Sequence, residues 1–288
     1  MSRIESAGCL IIGDEVLNGK ILDTNSYHFA RHCFNDLSIP LKRTIVCGDD
    51  KQDITKSLDL LLNQDKVDYV VTSGGLGSTH DDITYEVLAN YFGVECGLDD
   101  EVVQRMKSIR SSYLEKLNPE QVQAFYKMAT LPISNATTNV SKIYVDDSLW
   151  FPIVAINHRV YVLPGVPSLF TKLISALESH IKARIPLSDT RLVRFYVKTV
   201  SGETQFAPYL TRLQDSVDEK FGAQVVKIGS YPHFNWKNTT ISIIGRIPDV
   251  SLEELRLIVD DVVGNVGGDA TEISQVDEDK LTNEDPKL

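Results

Sequence analysis

The sequence predicts an α/β protein with a mostly parallel sheet, followed by a smaller α+β domain. Three short apolar segments, at residues 8–12, 41–47 and 67–71, are separated by segments with helical apolar spacing. Polar or glycine-rich residues follow each of them, which is typical of repeated βαβ units with right-handed crossovers. From residue 189 the order changes to strand, helix, strand, strand, helix, and this order predicts a small split-βαβ domain.

The length of 288 residues leaves room for two domains with substantial cores. We place the first at residues 1–184 and the second at residues 189–266, with a linker at residues 185–188 between them. Residues 267–288 are acidic, polar and without periodicity, so we expect a flexible tail. The apolar content of 42% and the charged content of 24% are those of a soluble globular protein.

The net charge of −11, without any block of lysine or arginine, argues against nucleic acid as a partner. The apolar run at residues 7–12 is too short for a signal peptide or a membrane span. The four cysteines are scattered without zinc-ligand spacing, which favours reduced thiols. We therefore expect an intracellular protein, in the cytoplasm and also in the nucleus, without a membrane partner.

The first predicted strand ends at Gly13 and is followed directly by Asp14 and Glu15. In parallel α/β sheets, ligands bind at the carboxyl ends of the strands. A carboxylate pair at this position is therefore a candidate for ligand or metal binding. The alternative for Asp14 is that it caps a turn or a short helix.

The next helix is predicted at residues 25–36, after the cap-forming residues Asp23 and Thr24. Asn25 either contacts a ligand or caps this helix. The second strand, at residues 41–47, ends in Gly48, Asp49 and Asp50, so two more carboxylates follow a strand end.

The third strand runs into a turn that contains Gly74, Gly75 and Gly77, and a helix follows it. Glycine lets a ligand approach the backbone, and the start of a helix presents free N–H groups, which suit phosphate. An ordinary tight turn is the alternative. Asp81 and Asp82 follow the glycines, and carboxylates beside a bound phosphate repel it unless a cation lies between them. The turn therefore predicts a metal-assisted phosphate site.

The last junction of the first domain is rigid. A strand at residues 160–163 runs into Pro164, Gly165, Val166 and Pro167, and the helix after it extends to about residue 183. Gly165 permits close approach of the backbone to a ligand, whereas the alternative is a stiff connection between strand and helix.

These motifs together resemble the molybdopterin-binding superfamily of MoaB and Mog. The segment Thr79-His80-Asp81-Asp82 is most similar to the CinA type. Three further segments, residues 150–152, 160–167 and 227–232, resemble the N-terminal molybdopterin-binding-like half of eukaryotic FAD synthases. The resemblance covers about residues 6–265, and its separate motifs occur in the family's order.

The resemblance implies a three-layer α/β/α fold and hydrolysis of the pyrophosphate bond in FAD or ADP-ribose, with release of AMP. It also implies a divalent metal (Mg, Mn or Co), potassium, and a homo-oligomer, either dimer or trimer. Since no adenylyl-transfer half is recognised, FAD synthesis is not expected. At the position where CinA relatives often carry glutamate, this sequence has Leu169. A non-catalytic protein that binds a pterin or nucleotide is therefore the alternative.

We assign the site as follows. Phosphate is expected to bind at Gly74, Gly75, Gly77, Ser78 and Thr79. Further ligand contacts are expected from Asn25, Thr84, Pro164 and Gly165. The metal ligands are predicted to be Asp14, Asp49 and Asp82, and the catalytic residues Asp49, Asp82 and Glu15, one of which orients the attacking water. His80 is expected to make a structural hydrogen bond.

Overall fold

The computed structural model describes residues 3–186, 191–233, 236–267 and 269–284. The chain divides into two compact units, Met1–Pro186 and Leu187–Leu288. Of the predicted linker at residues 185–188, only residues 185 and 186 lie within the described part. None of the helices in the described segments is long and apolar enough to cross a lipid bilayer.

The first unit contains a six-stranded sheet and a separate two-stranded one. Its strands in chain order are β1 (Ala7–Ile12), β2 (Leu41–Cys47), β3 (Tyr69–Ser73), β4 (Cys96–Leu98), β5 (Thr130–Pro132), β6 (Val140–Ile143), β7 (Ile153–Ile156) and β8 (Val160–Leu163). The order in the large sheet is β2-β1-β3-β8-β7-β6, and β4 pairs with β5. Strands β2, β1, β3 and β8 are parallel to one another, whereas β7 runs antiparallel to both of its neighbours, β8 and β6.

Eight α-helices belong to the described part of this unit: α1 (Asp14–Leu17), α2 (Asn25–Arg31), α3 (Lys51–Asp59), α4 (Thr84–Phe92), α5 (Asp100–Ile109), α6 (Ser111–Leu114), α7 (Pro119–Lys127) and α8 (Pro167–Lys182). Helices α2 and α3 continue as π-helical turns over His32–Leu37 and Leu60–Gln64.

Alternate residues of β1 lie on opposite faces of the sheet, as the two-residue period of a strand requires. Leu10 and Ile12 belong to an apolar cluster with buried residues of α3 and α4. Cys9 and Ile11 belong to a second cluster, with buried residues of α2 and α8. Helices therefore cover both faces of a mostly parallel sheet, which confirms the predicted three-layer α/β/α fold.

The carboxyl ends of the parallel strands lie along one edge of the sheet. The Gly13 N–H donates to the Cys47 carbonyl oxygen at 3.0 Å, and the Gly74 N–H donates to the Leu163 carbonyl oxygen at 3.2 Å. The four junctions predicted from the sequence are thus neighbours in the fold.

The second unit contains β9 (Arg191–Thr199), α9 (Glu203–Phe221), β10 (Val226–His233), β11 (Asn238–Ile247), α10 (Leu252–Asn265), β12 (Thr271–Ile273) and α11 (Gln275–Glu284). Its sheet has the order β10-β11-β9-β12. Strand β11 lies between the two strands that α9 connects, as a split-βαβ unit requires. Its apolar core includes Phe195, Ile241, Leu255 and Val259.

The predicted flexible tail is wrong for the part of it that the structure describes. Strand β12 pairs with β9, and the Tyr196 hydroxyl donates to Gln275 Oε1 of α11 at 3.0 Å. Glu278 is buried, with 7% of its surface exposed. The acidic composition concealed this structure because tertiary contacts, rather than an apolar stripe, stabilise α11.

Removal of residues 271–288 is expected to destabilise the second unit, because it uncovers the edge of β9 and removes the buried contacts of α11. We expect the thermal unfolding midpoint to fall by at least roughly 5 °C, or about 1 kcal/mol in a unit of this size. The matched control removes only residues 285–288. Equal unfolding midpoints for the two truncations would show that β12 and α11 do not stabilise the unit.

Candidate functional site

A cavity of about 550 Å³ lies at the carboxyl ends of the parallel strands in the first unit. Six predicted ligand-binding residues line it: Asn25, Gly74, Gly75, Gly77, Pro164 and Gly165. Glu15 and Asp82 also line it, whereas the other predicted site residues, Asp14, Asp49, Ser78, Thr79 and Thr84, are not among the lining residues. Ser78 and Thr79 are instead exposed.

The glycine loop, residues 74–79, accepts only glycine at its first position. Gly74 has φ = 112°, and a Cβ atom there would lie 2.0 Å from the Ile12 carbonyl oxygen. At Gly75, with φ = 66°, a Cβ atom would lie 2.2 Å from Thr84 Oγ1. Because Gly74 has no Cβ atom, the end of β3 can pack directly against the end of β1.

Thr84 stabilises the glycine loop through two hydrogen bonds to its backbone. Its hydroxyl donates to the Gly74 carbonyl oxygen at 3.0 Å, and its N–H donates to the Gly75 carbonyl oxygen at 3.2 Å. The side chain is fully buried. Helix α4 begins here, with Ile83 as its N-cap and no side-chain cap hydrogen bond. The cap-forming residues before α4 therefore do not cap this helix, and their side chains are available for hydrogen bonds within the glycine loop.

Asp82 connects the two ends of the glycine loop. Its Oδ1 accepts from the Gly77 N–H at 2.6 Å, and its Oδ2 accepts from the N–H and hydroxyl of Thr79 at 3.0 and 2.6 Å. Both carboxylate oxygens are thus bonded within the loop. The structure assigns Asp82 a loop-forming role and does not place its carboxylate with Asp14 and Asp49 in one group.

Asp14 and Asp49 meet at the ends of β1 and β2. Asp49 Oδ2 accepts from the Asp14 N–H at 2.9 Å. Partial burial raises the pKa of the Asp49 carboxyl above its usual value, and the charges of Glu15, Asp14 and Asp81 raise it further, against the lowering effect of the Asp14 hydrogen bond. None of the ion pairs formed by the described residues involves Asp14, Glu15 or Asp49. Negative charge is therefore concentrated here without an ion pair to any lysine, arginine or histidine of the described part of the chain.

This donor set suits a hard divalent cation, because Mg²⁺ and Mn²⁺ prefer carboxylate oxygens. The ligand atoms of Asp14, Asp49 and Asp82, however, do not form a described group within 4.8 Å of one another. Asp81 rather than Asp82 has a charge that acts on Asp49. The ligand atoms of Asp14, Glu15 and Asp49 do not form such a group either, so these carboxylates have the chemistry that a cation prefers but would have to move to bind one ion together.

Asn25 connects three of the junctions. It is 5% exposed, and its Nδ2 donates to Ser73 Oγ at 2.9 Å and to the Gly165 carbonyl oxygen at 2.8 Å. Asn25 is the first residue of α2, after the N-cap residue Thr24, and its N–H donates to Asp23 Oδ1 at 2.9 Å, so Asn25 does not cap this helix. Asn25 Oδ1 is buried and has no hydrogen-bond partner among the described residues.

One wall of the cavity is apolar, and sequence reasoning did not assign it to the site. Tyr85, Met128, Trp150 and Phe151 line it. The rings of Trp150 and Phe151 are 5.1 Å apart at 75°. Trp150 and Phe151 belong to one of the segments that resemble the family, and this resemblance could have indicated that they lie at the site. Tyr85 and Met128 lie in segments with helical apolar spacing and gave no signal of their own.

No lysine or arginine is among the described residues that line the cavity. The nearby cation is Lys127, whose Nζ donates to the Thr79 carbonyl oxygen. The N–H groups of Gly75, Leu76 and Ser78 have no acceptor within the described part of the chain. An anionic ligand would therefore be bound here by loop amides, which suits phosphate.

Asp82→Ala is expected to disorder the glycine loop without unfolding the protein, because it removes three hydrogen bonds to a carboxylate. Such bonds contribute about 1.5–3 kcal/mol each, so amide exchange at Gly77 and Thr79 should accelerate more than tenfold. Hydrogen exchange measured by mass spectrometry or NMR tests this. The control is Asp81→Ala, which should leave exchange at Gly77 nearly unchanged. Unchanged protection in Asp82→Ala would contradict the loop-forming role.

A family model described as "Probable molybdopterin binding domain" matches residues 8–183. A Caenorhabditis elegans protein named "Probable FAD synthase" is 32% identical over 248 residues, covering 82% of this chain and 46% of that protein. A "CinA-like protein" of Mycobacterium tuberculosis is 36% identical over 170 residues, covering 56% of this chain and 37% of that protein. The chain thus spans less than half the length of both relatives.

The comparison with solved structures supports the same fold. The crystal structure of the protein CinA with unknown function from Thermoplasma acidophilum superposes with a TM-score of 0.51 at 27% sequence identity. The match covers 62% of this chain and 99% of that one.

Proposed function

Because the chain belongs to the molybdopterin-binding-domain family, in its CinA type, we propose that it binds a nucleotide in its cavity and hydrolyses the pyrophosphate bond of FAD or ADP-ribose. AMP would be one product. The observation that carries this proposal is the meeting of Asp14, Glu15 and Asp49 next to a glycine loop, where the residues that the structure describes provide neither an ion-pair partner for these carboxylates nor acceptors for three of the loop N–H groups.

The chain's own residues supply three of the elements that this hydrolysis needs. The free N–H groups of the glycine loop bind the diphosphate, and the apolar wall at Trp150 and Phe151 packs against a ring of the ligand. Glu15 lines the cavity and is half-buried. Its carboxylate oxygen accepts a hydrogen bond from the attacking water, orients it towards phosphorus, and takes its proton.

Asp14 and Asp49, with Asp81, are the residues that would hold a divalent cation. When bound, such a cation neutralises charge on the diphosphate. The pKa of the Asp49 carboxyl is raised first by partial burial and then by the charges of Glu15, Asp14 and Asp81, and a bound cation would offset both effects. The predicted requirement for potassium rests on the family resemblance alone.

The alternative function is binding of a pterin or nucleotide without turnover. Leu169, which lines the cavity where CinA relatives often carry glutamate, favours this alternative. The loop-forming bonds of Asp82 also favour it, since they remove one predicted catalytic carboxylate from the cation site.

The test incubates the purified protein with FAD, ADP-ribose or NAD, in the presence of Mg²⁺, Mn²⁺, Co²⁺ or EDTA, with and without K⁺, and measures AMP by chromatography. We expect AMP from FAD or ADP-ribose with a divalent metal, and none with EDTA. Ligand binding by calorimetry without AMP in any metal would favour the binding protein. The absence of both ligand binding and AMP release would overturn both functions. Light scattering on the same sample tests the predicted dimer or trimer.

A further inference from the structure

A second group of metal-ligand side chains lies outside the cavity, and no part of the proposed reaction uses it. Among the described residues, His32, Asp36 and Glu178 are the group whose ligand atoms all lie within 4.8 Å of one another. We propose that these three residues bind a transition-metal ion of the zinc class, and that the ion connects α2 to α8.

The fold brings these side chains together from distant parts of the sequence. His32 and Asp36 lie on the π-helical turn that extends α2, whereas Glu178 lies on α8. The distance between His32 Nδ1 and Asp36 Oδ2 is 2.8 Å. Ligand atoms of one zinc ion are roughly 3–3.5 Å apart, because each is about 2.0–2.2 Å from the metal. Small side-chain rotations therefore suffice to form the site. π-Helical turns occur frequently at functional sites.

His32 has an unused nitrogen. The side chain is 4% exposed, and its Nε2 is buried without a hydrogen-bond partner in the described part of the chain. Buried polar atoms without partners are few in folded proteins and require an explanation. Since Nδ1 lies next to the Asp36 carboxylate, the ion would bind at Nδ1 in place of the proton that lies between these two groups, and Nε2 would keep the remaining hydrogen of the ring.

The carboxylates of Asp36 and Glu178 supply negative charge and make the site accessible to an ion from solvent. The Asp36 and Glu178 side chains are 49% and 35% exposed, so an ion reaches them from solvent and they are free to adjust. Lys182 is the described lysine that pairs with this group, through Glu178 Oε1 at 2.5 Å. This is an exposed pair four residues apart on one helix, and such pairs contribute little. A divalent cation can displace the lysine readily.

The donor set selects the metal. One imidazole and two carboxylates suit Zn²⁺, Co²⁺ or Ni²⁺, whereas Mg²⁺ prefers oxygen ligands alone. Helices α2 and α8 begin next to the cavity, at Asn25 and Pro167, and the ion would connect them further along. The ion would therefore stabilise the helix pair without contacting the ligand. This inference is independent of the proposed hydrolysis.

The experiment uses the full chain after removal of metal by a chelator. Zn²⁺ or Mg²⁺ is titrated into the protein by calorimetry, and the absorption spectrum of bound Co²⁺ reports the ligand set. All variants carry Asp49→Asn, so that the cation site of the cavity does not contribute. The test variants are Glu178→Gln and Asp36→Asn, which change exposed side chains and should fold. The matched control is Lys182→Gln, which removes the ion pair between Lys182 and Glu178 but keeps all three proposed metal ligands.

We expect one Zn²⁺ per chain in the Asp49→Asn background, with an increase in the thermal unfolding midpoint and no comparable Mg²⁺ binding. Loss of one carboxylate should weaken Zn²⁺ binding by more than about tenfold, since loss of even a second-shell partner costs roughly 10–100-fold. Lys182→Gln should bind Zn²⁺ as well as its parent or better. Equal Zn²⁺ affinity in Glu178→Gln, Asp36→Asn and their parent would overturn the proposal, as would no binding in the parent.

Discussion

Asp49→Asn is expected to abolish metal-dependent AMP release while the protein stays folded, with an unfolding midpoint equal to or above that of the parent. Asp49 accepts the Asp14 N–H, and an asparagine oxygen can still do so. Its raised pKa means that folding disfavours the charged carboxylate, so the charge destabilises the fold at a pH above that pKa. Removal of the charge therefore relieves repulsion and also removes a cation ligand. AMP chromatography and thermal unfolding, measured on one preparation, test both expectations.

The matched control is Asp50→Asn, which makes the same charge change one residue away. Asp50 caps α3, where its Oδ1 accepts from the Gln52 and Asp53 N–H groups at 2.8 and 3.1 Å. Asparagine is also a good N-cap, so activity and stability should remain close to those of the parent. If Asp49→Asn retained the parent's metal-dependent activity, the carboxylate cluster would not be the catalytic centre.

Gly74→Ala is expected to be the most destabilising single change in the first unit. The new Cβ atom would lie 2.0 Å from the Ile12 carbonyl oxygen, at a φ of 112°. A non-glycine residue in such a region costs about 1–3 kcal/mol by itself. The contact with backbone of a buried strand adds to this cost, because Ile12 cannot move without shifting β1. We expect a loss of more than about 3 kcal/mol in urea unfolding, together with loss of ligand binding.

Gly93→Ala separates the two causes of this loss. Gly93 ends α4 with a φ of 68°, and a Cβ atom there would meet nothing within 4 Å. Its substitution therefore carries the cost of left-handed backbone alone, about 1 kcal/mol. If Gly74→Ala and Gly93→Ala cost the same, the close approach of β3 to β1 would not be what requires glycine at position 74.

The two adjacent aspartates show how far sequence reasoning reaches into the site. Asp81 and Asp82 have the same chemistry, and only the path of the backbone decides which carboxylate turns into the glycine loop. From the sequence we predicted a metal-ligand role for Asp82 and none for Asp81. In the structure Asp82 accepts three hydrogen bonds from the loop, whereas the charge of Asp81 acts on Asp49.

The four parallel strands of the first unit, the order of strands and helices from residue 189 to residue 266, and the common edge at which the parallel strands end were determined by the sequence alone. Apolar spacing encodes whether a segment forms a helix or a strand, and parallel pairing then places Asp14, Asp49 and the glycine loop together. Tertiary structure alone decided the direction of each carboxylate, the apolar wall of the cavity, the packing of α11, and the proximity of His32 to Glu178. These features depend on contacts between residues far apart in the chain, and no local pattern specifies such contacts.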